Sequence, residues 1–313
     1  MLLTEMIAVY LFDLHCDTIT ECKRLGKSLI HNDLHIDVDR GNQNDRWVQT
    51  FAFWLDDSYR GDSAYQHFLS QRDFLLGEIK ANPQHLCLYH TGNEIKQNQC
   101  NVIMAVEGGH VLGGKLSRVE ELKKLGVSYL TLVWNSDNEI GCGAQGSADG
   151  LTSFGKEVVR EMERQGIIVD ISHLNEAGFD DVCHIATKPI IATHSNARAI
   201  CEHNRNLRDS QLEYLIQNKG LCGINLYPLF INGTMDCTFD DIIKHIEHIL
   251  SLGGEHILAI GTDFDGAKMS TAINGIERLY SFYEYMLKWY DSNLLNKIFF
   301  ENAKQFVDKN ILI

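Results

Sequence analysis

Proline is scarce in this chain, with three in 313 residues, so little in the sequence interrupts regular structure or builds a proline-rich linker. Basic side chains are outnumbered as well, 28 Lys and Arg against 42 Asp and Glu, giving a formal net charge of −14. With no stretch gathering Lys and Arg into a stripe, nucleic acid and anionic membrane are excluded as partners. No run reaches the roughly 18 apolar residues that a membrane span needs. The N-terminal LLTEMIAVYLFDL is interrupted by Glu5 and Asp13 and lacks a basic leader, so it reads as a strand rather than a signal peptide. The C-terminal VDKNILI offers no hydrophobic tail for a lipid anchor. A cytoplasmic protein is the expectation.

Two further absences narrow the class. The nine cysteines are an odd number and never fall in C-x-x-C spacing, which argues against a zinc ribbon and a disulfide framework and for free thiols in a reducing compartment. No G-x-G-x-x-G follows the first strand-like run and no P-loop occurs, so nothing recommends the nucleotide cleft of a doubly wound open sheet.

What is present is an ordinary globular composition, 44% hydrophobic and 22% charged, organised as short β-rich runs separated by helical spacing. Eight runs read as strands: Ile7–Leu14, Val48–Leu55, Val102–Val106, Ser128–Val133, Ile167–Ile171, Pro189–Thr193, Leu221–Leu226 and Ile257–Gly261. Between them, helices are predicted at Ala64–Lys80, Val119–Leu125, Ser153–Gln165, Asn175–Ala186, Asp209–Gln217 and Phe239–Leu252. The first connection, about residues 18–46, reads as an irregular excursion, and Gly275–Tyr290 and Ser292–Lys309 read as closing helices. Without a linker or repeat, residues 1–313 read as one (β/α)8 TIM barrel.

Metal-grade side chains close these strand-like runs. His15 and Asp17 end IAVYLFDLHCD, Glu107 ends NVIMAVE, His173 ends GIIVDISH, His194 ends PIIATH and Asp263 ends HILAIGTD. Alternation puts His15 and Asp17 on one strand face, so both can approach one ion. A buried carboxylate such as Glu107 must be paired or coordinate a cation, and its two oxygens can serve two ions. Taken singly, an incidental H-x-D, a salt bridge or a satisfied core histidine explains each residue. A barrel that points every strand end at one mouth gathers them all, and independent coincidence does not explain that. Paired metals in such a pocket polarise a carbonyl and generate hydroxide from water, and His with carboxylate ligands suits zinc, with manganese as the alternative.

DLHCDT, AVEGGH, YLTLVWNSDNEIG, VDISH, ATHSNARAICEHNRNLRD and GTDFDG together resemble the membrane dipeptidase (renal dipeptidase) family of zinc peptidases, and its soluble bacterial members in particular. The resemblance runs from about residue 12 to 270. It implies an amidohydrolase-like barrel with two Zn2+ ions per chain: His15 and Asp17 on one, His173 and His194 on the other, Glu107 bridging. Asp263 would be the acid/base that moves the proton of the bridging water to the leaving amine. Arg205 matches the family arginine that binds the substrate's C-terminal carboxylate, and Tyr227 matches a residue of the substrate pocket. The implied reaction is hydrolysis of small dipeptides, with a homodimer left open as an assembly.

One position departs from the family. Where some members carry a histidine that polarises the substrate carbonyl, this chain has Trp134, followed by Asn135, which is assigned part of that role. Indole offers one N–H and no acceptor. The departure leaves open another small amide, a D-amino acid derivative or a β-lactam as substrate. A non-catalytic metal-binding or ligand-binding barrel is the reading from another class.

Overall fold

Among the described residues of the computed structural model, which are 9–42, 46–92 and 94–311, nine parallel strands form one sheet. They are β1 (Tyr10–Cys16), β2 (Arg46–Trp54), β3 (Leu86–Leu88), β4 (Cys100–Glu107), β5 (Val127–Thr131), β6 (Ile168–Asp170), β7 (Ile191–Ala192), β8 (Leu221–Ile224) and β9 (Leu258–Ile260). Pairing of β2 with β4, in register from Trp47↔Cys100 to Trp54↔Glu107, closes eight of them into a barrel. The ninth, β3, was not anticipated. Its three residues pair only with Cys100–Val102 at the start of β4, outside the ring.

The helices are α1 (Thr18–Leu25), α2 (Val38–Gly41), α3 (Gly61–Ala81), α4 (Ser117–Lys124), α5 (Ser153–Gln165) and α6 (Glu176–Ile185). They continue with α7 (Asp209–Gln217), α8 (Pro228–Ile231), α9 (Phe239–Ser251), α10 (Ile276–Met286), α11 (Ser292–Asn296) and α12 (Asn302–Asn310). Two expectations are corrected. The first connection opens with α1, which Gly26 ends in a left-handed conformation (φ 66°), rather than being irregular throughout. The last expected helix is broken by a wide π turn at Lys297–Glu301, which sets Phe299 against Phe282 and Tyr283 while Phe300 packs on Tyr10 and Phe12. The first expected strand, Ile7–Leu14, starts outside the described residues. No helix among the described residues is long and apolar enough to cross a membrane, and all nine cysteines are free.

Each barrel strand contributes at least one apolar side chain to an inner cluster, from Phe12 and Leu14 on β1 round to Ala259 on β9. Ala303, Phe306 and Val307 of α12 join the same cluster and plug it. A second, larger cluster holds the opposite strand faces, such as Trp47, Phe51 and Phe53 of β2, against the helices. This alternation fills the barrel with side chains and leaves only its C-terminal mouth for chemistry.

Two buried aspartates fasten the strands just beneath that mouth. Asp13 Oδ1 accepts from the N–H of Thr262 (2.9 Å) and of His15 (3.3 Å), and Oδ2 accepts from Thr262 Oγ1 (2.7 Å) and Gln49 Nε2 (2.8 Å). Asp170 repeats the device: Oδ1 takes the N–H of Ser172 (3.0 Å) and Thr193 (3.1 Å), Oδ2 the hydroxyls of Thr131 (2.6 Å) and Thr193 (2.7 Å). Each carboxylate thus ties three neighbouring strands. Burial nevertheless raises Asp13 above the ordinary carboxyl value, against the opposing pull of its hydrogen bonds to Gln49 and Thr262. An Asp13→Ala variant would leave the Thr262 and Gln49 donors buried and unpaired. A loss of about 3 kcal/mol is expected, read as a lower urea midpoint; an unchanged midpoint would show that the clamp carries no stability.

Candidate metal centre

The strand ends deliver the metal-grade side chains to one place. Glu107 is the last residue of β4, paired across to Trp54 on one side and Thr131 on the other, and His15 is the last but one of β1. Asp17 follows β1 and precedes α1. The remaining three stand beyond their strands rather than ending them: His194 two residues after Ala192, His173 three after Asp170, and Asp263 three after Ile260. The chain has already turned there, with φ 68° at His173 and 60° at Asp263, a left-handed backbone that non-glycine residues rarely adopt. Such strain persists where surrounding bonds impose it, and the Asp13 and Asp170 clamps lie directly before these turns.

Glu107 sits at the centre. Its Oε1 lies 2.9 Å from His173 Nε2 and 3.4 Å from His194 Nε2, while Oε2 lies 3.6 Å from His15 Nε2. His15 Nε2 is in turn 3.5 Å from Asp17 Oδ2 and has no hydrogen-bond partner. Two sets of ligand atoms fall within 4.8 Å of one another: one from His15, Glu107 and His194, the other from His15, Asp17 and Asp263. The two carboxylate oxygens of Glu107 therefore face different halves of the cluster.

The histidine tautomers follow from their outer bonds. His173 Nδ1 meets Asn135 Oδ1 at 3.0 Å, an acceptor, so this nitrogen carries the hydrogen. His194 Nδ1 meets Thr193 Oγ1 at 2.8 Å, and that hydroxyl spends its own hydrogen on Asp170, so Nδ1 donates here too. Both Nε2 atoms then present lone pairs, 2.9 Å apart and beside the Glu107 oxygen. Lone pairs this close repel unless a cation lies among them. The donor set and its outer shell fit a first-row divalent metal.

Electrostatics point the same way. Burial, then the Arg205 charge, press His173 down to about 4, and burial with the charge of His15 holds His194 well below the usual imidazole value. Burial opposes charge on Glu107, but His15 and His173 outweigh it and keep the carboxylate well below its ordinary range. Burial also opposes charge on His15, yet Glu107 and Asp17 raise it well above normal. Burial and the nearby Glu107 charge lift Asp17 to about 7. Asp263 is lifted to about 6 by burial, with His15 pulling the other way.

A cleft of about 470 Å³ opens over the cluster, in the size range of small-ligand sites. Tyr227, Trp134 and Asn135 line it. Asn135 contributes through His173, since its side-chain oxygen is engaged there. Arg205 is buried, its Cζ 5.5 Å from the Phe230 ring, with one long bond from Nη2 to the His194 carbonyl (3.4 Å). Its Nε has no partner, and among the described residues no carboxylate pairs with it. Several contributors escaped sequence analysis. Asn225 Nδ2 donates to Asp263 Oδ2 at 3.0 Å, Trp54 lines the cleft, and a Cβ on Gly266 would strike the Asp17 and Asp263 carboxylates. Only the aspartates upstream of His15 and His173, and the threonines before His194 and Asp263, left a readable trace.

Known proteins similar to this chain include metallopeptidases and dipeptidases. A metallopeptidase of Rhodobacter sphaeroides, solved with a phosphinate mimic of the dipeptide L-Ala-D-Ala, superposes with a TM-score of 0.90 at 25% identity, covering 97% of this chain and all of that one. An uncharacterized dipeptidase of Schizosaccharomyces pombe is 31% identical over 256 residues, 74% of this chain and 61% of its own length. A dipeptidase of Aspergillus oryzae is 32% identical over 210 residues, which is 66% of this chain. The chain spans 48% of that relative's length, so it matches about half to three fifths of these two fungal proteins. The profile of the membrane dipeptidase family, peptidase family M19, matches residues 3–309, and the chain belongs to that family.

Proposed function

We propose that the chain is a metal-dependent dipeptidase working with two zinc ions. The observation that carries this reading is the convergence of Glu107 Oε1 with the Nε2 atoms of His173 and His194, while Oε2 faces His15. His15 and Asp17 would hold one zinc, His173 and His194 the other, with Glu107 between them. When bound, such a pair polarises a carbonyl and lowers the pKa of water toward neutrality.

The chain's own residues supply the rest. Asp263, lifted to about 6 and oriented by Asn225, is suited to accept a proton on a carboxylate oxygen and deliver it to the leaving nitrogen. Arg205 is a buried guanidinium with no carboxylate of its own, a match for the free C-terminal carboxylate of a short peptide. Tyr227 stands on the same side of the cleft, in T-shaped contact with Phe230. Asn135 holds the Nδ1–H of His173 and so keeps Nε2 available as a ligand atom. The Rhodobacter relative's dipeptide mimic supports the substrate class. Nine free thiols suit a reducing compartment, and we assign the chain to the cytoplasm.

Chelator-stripped protein should be inactive on dipeptides and regain activity with zinc or manganese. Ligand histidines must bind as neutral imidazoles, and despite burial Glu107 and Asp17 raise His15 well above its usual value, so loading should release protons and apparent affinity should rise with pH. Calorimetric titration in buffers of different ionisation enthalpy reads this directly; a buffer-independent heat would contradict the assigned ligands. An Asp263→Asn variant that still binds two metals should lose about 10²- to 10⁴-fold in kcat. Turnover near the parent value would remove Asp263 from the proton path. Arg205→Met should lower kcat/KM on dipeptides by roughly 10²-fold but leave dipeptide amides, which lack the carboxylate, little affected. Equal losses on both would favour the reading of another small amide as substrate.

A further inference from the structure

The cleft has two aromatic walls on opposite sides of the barrel mouth. Counted round the barrel, Trp54 ends the second strand (β2) and Trp134 follows the fourth (β5). Arg205 follows the sixth (β7), and Tyr227 and Phe230 follow the seventh (β8). The third strand is β4, which carries Glu107, and it lies across the ring from β8. The metal-grade residues therefore stand between a wall beside Arg205 and a wall that has no guanidinium.

That second wall is built to present its faces. Trp54 belongs to the strand face that carries Val48, Thr50 and Ala52 into the barrel, and it is the bulky member at the mouth. Its ring meets that of Trp134 edge to face, with centroids 5.0 Å apart at 76°, and Trp134 is 6.4 Å from the His173 ring. Both indoles are only partly buried and both line the cleft. The supports are rigid. Gln71 Nε2 donates to the Trp54 carbonyl at 2.8 Å, and the Ser136 N–H donates to Asp57 Oδ2 at 3.1 Å, tying the loop after β2 to the loop after β5. Gly143 packs so closely on the carbonyls of Trp134 and Asn135 that a Cβ there would collide with them. Two large hydrophobic faces held open to a cleft at this level of order are a binding surface, not spare core.

We propose that Trp54 and Trp134 form the subsite for the side chain of the substrate's N-terminal residue and select apolar, above all aromatic, side chains there. The inference rests on the dipeptidase reading and on Arg205 as the carboxylate anchor. With the carboxylate at Arg205 and the leaving nitrogen at Asp263 on the neighbouring side, the acyl half of a dipeptide extends across Glu107 toward the indoles. An aromatic side chain gains edge or offset contact with them, and a glycine or alanine leaves that surface wet.

The test measures kcat/KM of the metal-loaded full chain on two series, Xaa-Ala and Ala-Xaa, with Xaa as Gly, Ala, Leu and Phe. Phe-Ala should exceed Ala-Ala by at least about 10-fold, the scale on which hydrophobic pockets discriminate. Trp54→Ala should collapse the Phe-Ala to Ala-Ala ratio towards one, Trp54→Phe should keep most of it, and Trp134→Leu should lower it. Because a ratio is read within each variant, a general loss of activity does not disturb the outcome. The Ala-Xaa ratios should not move in any of them. Hydrolysis with a flat Xaa-Ala series, or a Trp54 effect that falls on Ala-Xaa instead, would overturn this subsite while leaving the dipeptidase reading intact. Failure of the metal-loaded parent to cleave any dipeptide would overturn both.

Discussion

Two buried carboxylates beneath the cleft fasten the turns that carry His15, His173, His194 and Asp263 into it. Asp13 and Asp170 each accept four hydrogen bonds in a dry environment, and each uses backbone N–H groups that a neighbouring strand would otherwise satisfy. Once a side chain supplies those acceptors, the sheet can stop and the backbone can turn. The turns bring His173 and Asp263 into the mouth in a left-handed conformation, and a threonine just before His194 both completes the Asp170 clamp and fixes the imidazole. Stability and the shape of the cluster are thus held by the same bonds.

Above the clamps the protein assembles a group of atoms that repel one another. Glu107 and the two Nε2 lone pairs of His173 and His194 crowd together, and their hydrogens are committed to Asn135 and Thr193 on the far side. Against the opposing effect of burial, Glu107 and Asp17 raise the neighbouring His15 well above the usual imidazole value. The outer hydrogen bonds to Asn135 and Thr193 hold this arrangement in place.

Much of this was legible in the sequence because it depends on local pattern. Apolar runs of period two and helices such as Ser153–Gln165 and Asp209–Gln217 follow from side-chain spacing, and α5 and α7 have the expected bounds. The six metal-grade residues stood out because all of them close strand-like runs, which a barrel points at one mouth. What could not be read depends on contacts remote in sequence: Asp13 reaching Thr262, Asn225 reaching Asp263, and β3 pairing with β4 over only three residues. Asn135 was assigned to substrate from its position after strand four, but its bond to His173 joins residues 38 apart. The π turn in the last helix was also invisible, since no proline or glycine marks it and packing of Phe299 and Phe300 on opposite neighbours produces it.

The buried Arg205 has a consequence for how an anion enters. A guanidinium at the surface must shed its water before it can grip a carboxylate, and that cost is charged against every binding event. Arg205 is already buried in the folded chain, with the Phe230 ring and the His194 carbonyl among its neighbours. On the proposed reading, a substrate carboxylate that reached Arg205 would find a guanidinium already buried among protein groups. As the proposed carboxylate anchor, Arg205 would thus set selectivity for the charged end of a ligand before any ligand is present.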